Sequence, residues 1–376
     1  MRRSALLVVL LAFSLTFVDC GGGGHADSGS APPTPTPNPS VSSLPLGSVS
    51  NVSYGTCAYG GNGCFTATVS CPGTADIKVS VHITNPTDAP KGTIFLHGGG
   101  GGTGVFDVSH NGVNASTLFL NAGFRLIQVA WDTPWEDTTI LPKSIKTAAC
   151  RPATILNYVY NNIHGGPSVS GGMCAEGNSG GAAALAYVMT EYDGSSYLDK
   201  VILTSGPVFS DLQQGCELPG APPVTICSAG QFGCVGDPWT VKVQLPNNPV
   251  GTWTGDANCD GGSSTAGAAT TDAENAAWKA MSIVDGMSDA SFTYPNTALS
   301  GYLCNNSLGS AQGQGGLYFQ QFTSSSQAAS YSLYAVQGCL LAEDYINGTL
   351  AAGPNAGESA FTAAVDDMIG GCTKRH

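Results

Sequence analysis

The sequence has little charge, and past its midpoint it has almost no histidine. Only 10% of its 376 residues are Asp, Glu, Lys or Arg, with 26 acidic against 13 basic. So few cations offer no basic patch to nucleic acid or to an anionic bilayer, and the acidic excess reads as a solubility feature. No C-x-x-C pair occurs and the six histidines are scattered, so zinc-ligand spacing is absent and nothing calls for a metal or cofactor. There is no internal repeat. The apolar run Ala5 to Val18 is shorter than the roughly 20 residues that a membrane span requires.

What is present at the N-terminus is an address. Met1-Arg2-Arg3 followed by that apolar run has the layout of an export signal. Cys20, with four glycines after it, makes the segment resemble a bacterial lipoprotein signal, in which the cysteine becomes the lipidated first residue. Asp19 departs from that pattern, and ordinary secretion or periplasmic release is the alternative. The expected membrane attachment is through this anchor alone. Of thirteen cysteines, removing Cys20 leaves an even twelve, the number expected of disulfides in an oxidising compartment.

Residues 1–20 therefore read as the signal, and 21–50, with its "APPTPTPNPS", as a linker too poor in apolar residues to fold. Residues 51–75 read as a Cys-rich N-terminal segment, and 76–376 as the main domain. Within it, strands are expected at 77–84, 124–131, 171–179, 199–209, 297–303 and 330–338, with another in the apolar run at 92–104 that ends in glycines. Helices are expected at 113–123, 147–164, 180–192 and 357–371. Residues 210–270 lose periodicity and read as a Cys/Gly-rich insertion. Strands alternating with helices predict an α/β fold with a mainly parallel sheet covered on both faces.

Two glycine motifs carry the chemistry. Gly177-Asn178-Ser179-Gly180-Gly181 is G-x-S-x-G between a strand and an Ala-rich helix, where a sharp turn forces strained angles on the serine. His97-Gly98-Gly99-Gly100 ends an earlier strand and lets backbone N–H groups approach an oxyanion. With both motifs, residues 76–372 resemble the α/β-hydrolase superfamily, in its esterase and lipase branch. The resemblance implies Ser179 as nucleophile and the N–H groups of Gly99, Gly100 and Gly180 as oxyanion hole. The substrate implied is a small-molecule or polymeric carboxylic ester. His97 belongs, on this resemblance, to the oxyanion loop and not to the proton-transfer machinery.

That leaves the acid and the base. The family order is serine, acid, histidine, yet the loop after 297–303 holds no carboxylate and the loop after 330–338 holds no histidine. Asp211 is the candidate acid, one strand earlier than usual, and His376, the only histidine after Ser179, is the candidate base. If neither serves, Glu176 and the carboxylates of the 340–344 loop are next. Trp131 and Trp135 could stack on a substrate or simply pack. Two functions remain open: an exported serine esterase, or a surface protein that has lost catalysis and binds a ligand in the same pocket.

Overall fold

The computed structural model describes residues 43–55, 63–106, 109–110, 113–137, 144–216, 222–243, 272–284, 291–304, 309–336 and 359–376. Its first strands are β1 (Ser48–Tyr54), β2 (Gly63–Ser70), β3 (Ile77–Thr84) and β4 (Gly92–His97). The short pair β5 (Ser109–His110) and β6 (Val113–Asn114) leads into helix α1 (Ala115–Asn121) and strand β7 (Arg125–Trp131). Helices α2 (Ile145–Ala148) and α3 (Cys150–Val159) precede β8 (Gly172–Asn178), α4 (Gly180–Glu191) and β9 (Lys200–Thr204). Then follow α5 (Leu212–Cys216), β10 (Val224–Ile226), β11 (Cys234–Val235), β12 (Trp239–Val241) and α6 (Asp272–Met281). The chain closes with β13 (Tyr294–Cys304), α7 (Gly309–Phe319), β14 (Ala328–Val336) and α8 (Ala360–Gly371).

Ten strands form one sheet in the order β1-β2-β3-β7-β4-β8-β9-β13-β14-β11. The pairings from β1 to β7 are antiparallel and those from β7 to β11 are parallel. Central strands are apolar on both faces because helices cover both. In β4, Phe95 faces the layer of α3 and α4, while Ile94 and Leu96 face that of α1 and α8, and all three are buried. Each such side chain contributes roughly 1.5–3 kcal/mol on leaving water. The result is the expected α/β architecture, a mainly parallel sheet with helices on both faces.

Several boundaries differ from the sequence expectation, for physical reasons. The Cys-rich segment is not set apart from the main domain: Phe65, Ala67 and Val69 alternate inward, so β1 and β2 extend the sheet, and β1 begins inside the expected linker. The strand expected to run to 209 stops at Thr204, where Ser205 turns to φ 51°. In the insertion, β11 joins the sheet as its outermost parallel strand, and β10 pairs with β12 apart from it. The helix expected at 147–164 divides into α3 and a π-helical turn, Tyr160–His164, which ends at Gly165 in the left-handed region.

All nine described cysteines are disulfide-bonded. Cys71–Cys150, Cys174–Cys372 and Cys227–Cys234 have both partners described. The bridge from β8 to the residue after α8 spans 198 positions and fixes the C-terminal tail to the start of the central strand. Replacing Cys174 and Cys372 together by Ala should lower the free energy of unfolding by about 2–5 kcal/mol in urea titrations. Stability equal to that of the native chain would show that the bridge does not hold the fold.

Candidate active site

The strand order reverses around β4. After β4 the chain crosses α1 to β7 on one side, then returns to β8 on the other. A crevice opens at such a switch point, beyond the carboxyl ends of the strands. Both glycine motifs lie there, because β4 ends at His97 and β8 at Asn178, in adjacent parallel register.

Ser179 sits between β8 and α4 at φ 52°, ψ −111°, a region that an L-residue enters only at a cost of about 1–3 kcal/mol. Its N–H donates to Thr204 O at 2.8 Å, and its carbonyl accepts from Ala183 N–H at 3.0 Å. It occupies the N-cap of α4, yet its hydroxyl does not cap the helix. Serine at an N-cap ordinarily spends its oxygen on that bond. Here the half-buried hydroxyl makes no hydrogen bond to any described residue, and the first-turn N–H groups of α4 have no partner within the helix.

The loop from 98 to 102 is seated directly on this turn. A β-carbon on Gly180 would lie 2.1 Å from Gly100 O, and one on Gly181 would lie 2.3 Å from His97 O. On the other side of the turn, a β-carbon on Gly177 would meet Gly181 O at 2.4 Å. Only glycine permits these approaches. Gly99 lies beside the serine, its would-be β-carbon 3.6 Å from Ser179 Cβ.

The loop is bolted from behind. Gly101 O accepts from Trp135 N–H at 3.0 Å, Gly102 O from Trp131 N–H at 2.9 Å, and Gly102 N–H donates to Gly99 O at 3.1 Å. The N–H groups of Gly99 and Gly100 donate to no described residue, and both glycines are exposed. The expected oxyanion donors thus stand unspent beside Ser179.

His97 is fully occupied. The Trp131 indole is a donor only, so His97 Nε2, 3.2 Å away, must accept. The proton is then on Nδ1, which donates to Gly98 O at 2.9 Å. Burial lowers the His97 pKa to about 4 against the opposing pull of that carbonyl, so the ring stays neutral. Trp131 and Trp135 are buried at 2% and 0% exposure, which settles their role as packing behind the loop.

The structure does not bring His376 to Ser179. The bridge from Cys372 to Cys174 ties the tail to the amino end of β8. His376 Nε2 lies 3.2 Å from Leu198 O, and Arg375 N–H donates to Asp199. Leu198 is level with the start of β8, so the imidazole is roughly 20 Å from the serine along the strands. Asp211 lies beyond the carboxyl end of β9, where its carboxylate accepts from Gln214 N–H at 2.9 Å and its own N–H donates to Gln314. The pair expected to serve as acid and base therefore sits at opposite ends of the sheet. Glu176, the next suspect, is buried mid-strand near Lys200 and Asp367, and burial first, then Asp367, raises its pKa to about 8. The 340–344 loop lies outside the described residues. Among the described residues no cluster of His, Cys, Asp and Glu could hold a metal.

One group escaped the sequence reading altogether. Glu136 is fully buried behind the loop, its Oε2 2.9 Å from where a Gly101 β-carbon would lie. Its carboxyl bonds to no other described residue. Burial raises its pKa to about 8, with its own backbone N–H and the Arg151 guanidinium opposing. Arg151 is instead spent on the carbonyls of Trp135, Asp137 and Ala75. Nothing in the pattern W-D-T-P-W-E marks this glutamate as different from a solvated loop carboxylate.

The chain matches no protein-family model and no curated protein sequence. Among solved structures it is similar to a hyperthermophilic esterase from the archaeon Pyrobaculum calidifontis, at 14% identity and a TM-score of 0.43 over 83% of each chain. It is similar also to brefeldin A esterase, a bacterial homologue of human hormone-sensitive lipase, at 13% and 0.44 over 87% of this chain and 78% of that one. Acetyl xylan esterase 1 from Thermoanaerobacterium sp. JW/SL YS485 compares at 9% and 0.44, over 85% and 88%. Likeness this distant leaves the chemistry to be argued from the site.

Glu136 gives a pH signature. An unfolded chain loses this proton near 4.5, whereas the folded protein keeps it to about 8. Between those values folding binds a proton, so the stability that Glu136 confers is complete below pH 4.5 and is lost as pH rises to 8. Glu136→Gln should match the native protein near pH 4.5 and exceed it at pH 8, by up to about 4 kcal/mol in chemical denaturation. An equal difference at both pH values would contradict a neutral Glu136.

Proposed function

We propose that the protein is a serine hydrolase acting on carboxylic esters, with Ser179 as nucleophile. The observation that carries this reading is the N-cap serine held at φ 52°, its hydroxyl unspent, with the Gly99–Gly100 backbone closed against it. A strained residue persists where surrounding structure over-determines it, and that is the usual setting of a nucleophile. An ester carbonyl bound over Ser179 would place its oxygen among the N–H groups of Gly99, Gly100 and Gly180. Those donors are fixed before substrate arrives, so they stabilise developing negative charge without reorganising. The same reading includes export, with Cys20 as lipid anchor, and the disulfide pairing of every described cysteine supports an oxidising location.

No histidine base is part of this proposal. An oxyanion hole with substrate binding retains roughly 10³–10⁴ of rate over water when triad members are missing, so turnover should be slow. A fluorophosphonate probe should label the protein stoichiometrically but slowly, at Ser179 by peptide mapping. His376→Ala should label at the native rate and Ser179→Ala not at all. Absence of labelling in the folded native protein would favour the alternative, a protein that keeps the turn and binds its ligand without cleaving it.

A further inference from the structure

Asn178, the residue before Ser179, carries an amide of which the fold uses only one end. Alternation along β8 puts it on the same face as Cys174, in the layer of α1 and α8, with Thr204 opposite it on β9. Its Oδ1 accepts from Thr204 Oγ1 at 3.0 Å, which fixes the amide and leaves Nδ2 at its other end. Nδ2 lies beside the oxyanion loop, 3.2 Å from where a Gly99 β-carbon would be. That same point is 3.6 Å from Ser179 Cβ, so the amide nitrogen and the serine side chain both border the bare Cα of Gly99.

Nδ2 donates to no described residue. Several unpaired polar atoms are sealed from solvent, both carboxyl oxygens of Glu136 among them, but Asn178 Nδ2 is not. The residue is only 9% exposed, so its amide is held almost wholly within the fold while the donor end stays open to a bound molecule. An amide N–H group left unpaired in so enclosed a place forfeits a hydrogen bond that a ligand oxygen would supply. α4 belongs to the opposite layer, so Gly180 N–H and the Asn178 amide approach the space over Ser179 from the two faces of the sheet.

We propose that Asn178 is a catalytic residue of the ester cleavage inferred above, on which this assignment rests, and that its side-chain N–H donates to the carbonyl oxygen as negative charge develops there. As Ser179 Oγ bonds to the carbonyl carbon, the π pair of the C=O bond moves onto that oxygen. It returns when the bond from carbon to the alkoxy oxygen breaks. Water takes the proton of Ser179 and gives one to the departing alkoxide, and neither passes through Asn178. The amide keeps its own protons and contributes a dipole that Thr204 has already aimed.

Asn178→Asp isolates the donor. Its carboxylate still accepts from Thr204 Oγ1, so the melting temperature should stay within a few degrees of the native value, but no N–H remains. With p-nitrophenyl acetate at neutral pH, kcat should fall by about 100-fold or more while KM changes by less than about threefold. As pH is lowered to about 4 the aspartic acid takes up a proton and becomes a donor, so its kcat relative to the native protein should recover by about tenfold. Asn178→Ala should show a comparable loss and no recovery. Native turnover in either variant, or a loss in Asn178→Asp that low pH does not relieve, would overturn the assignment while leaving the esterase reading intact. Should Asn178→Asp not fold, the alanine variant decides by kcat alone, native turnover overturning the assignment. If native protein and Ser179→Ala hydrolyse the ester alike, the esterase reading itself fails, and the role of Asn178 with it.

Discussion

The site depends on a contact between two stretches of bare backbone. The carbonyls of His97, Gly98 and Gly100 press on Gly180 and Gly181 at distances that no β-carbon could survive. This contact sets the turn of β8 into α4 and thereby holds Ser179 in its strained conformation. It also brings Gly99 beside the serine. Glycine at 177, 180 and 181 is therefore a geometric requirement of the fold, and Ser179 and the backbone of Gly99 and Gly100 are positioned by one and the same packing event.

Behind that contact lies a shell that keeps the loop from relaxing. Two tryptophan N–H groups hold the carbonyls of Gly101 and Gly102, and the Trp131 indole locks His97 into a single tautomer. Glu136, buried and neutral, closes the back of the loop. The arrangement puts groups that look reactive, a histidine and a glutamate, to structural work. Among the described residues beside the turn, the Ser179 hydroxyl and the N–H groups of Gly99 and Gly100 are left unspent.

Much of this is legible in the sequence, and the failures have identifiable causes. β4, β7, β8 and α4 follow from continuous apolar runs bounded by glycine, and the two glycine motifs mark their own junctions. α7 was invisible because "GSAQGQGGLYF" has poor helix propensity. Its glycines are nonetheless required, since β-carbons on Gly313 and Gly315 would collide with Lys242 O and Gly206 O. His376 is the expected base because it is the only histidine after Ser179. Its position is decided by the Cys174–Cys372 bridge, and cysteine pairing cannot be read from spacing. The early end of β9 gives no signal, because the positive φ of Ser205 falls inside a pattern that suggests a longer strand.

In the proposed reaction Ser179 attacks with the oxyanion directed into the 98–102 loop. The direct measurement is a crystal structure of the protein after reaction with an alkyl phosphonate ester that mimics the tetrahedral intermediate. The expected adduct has phosphorus bonded to Ser179 Oγ, with the phosphonyl oxygen about 3 Å from the N–H groups of Gly99, Gly100 or Gly180. An adduct whose oxygen points away from that loop, or phosphorus bonded to another residue, would contradict it.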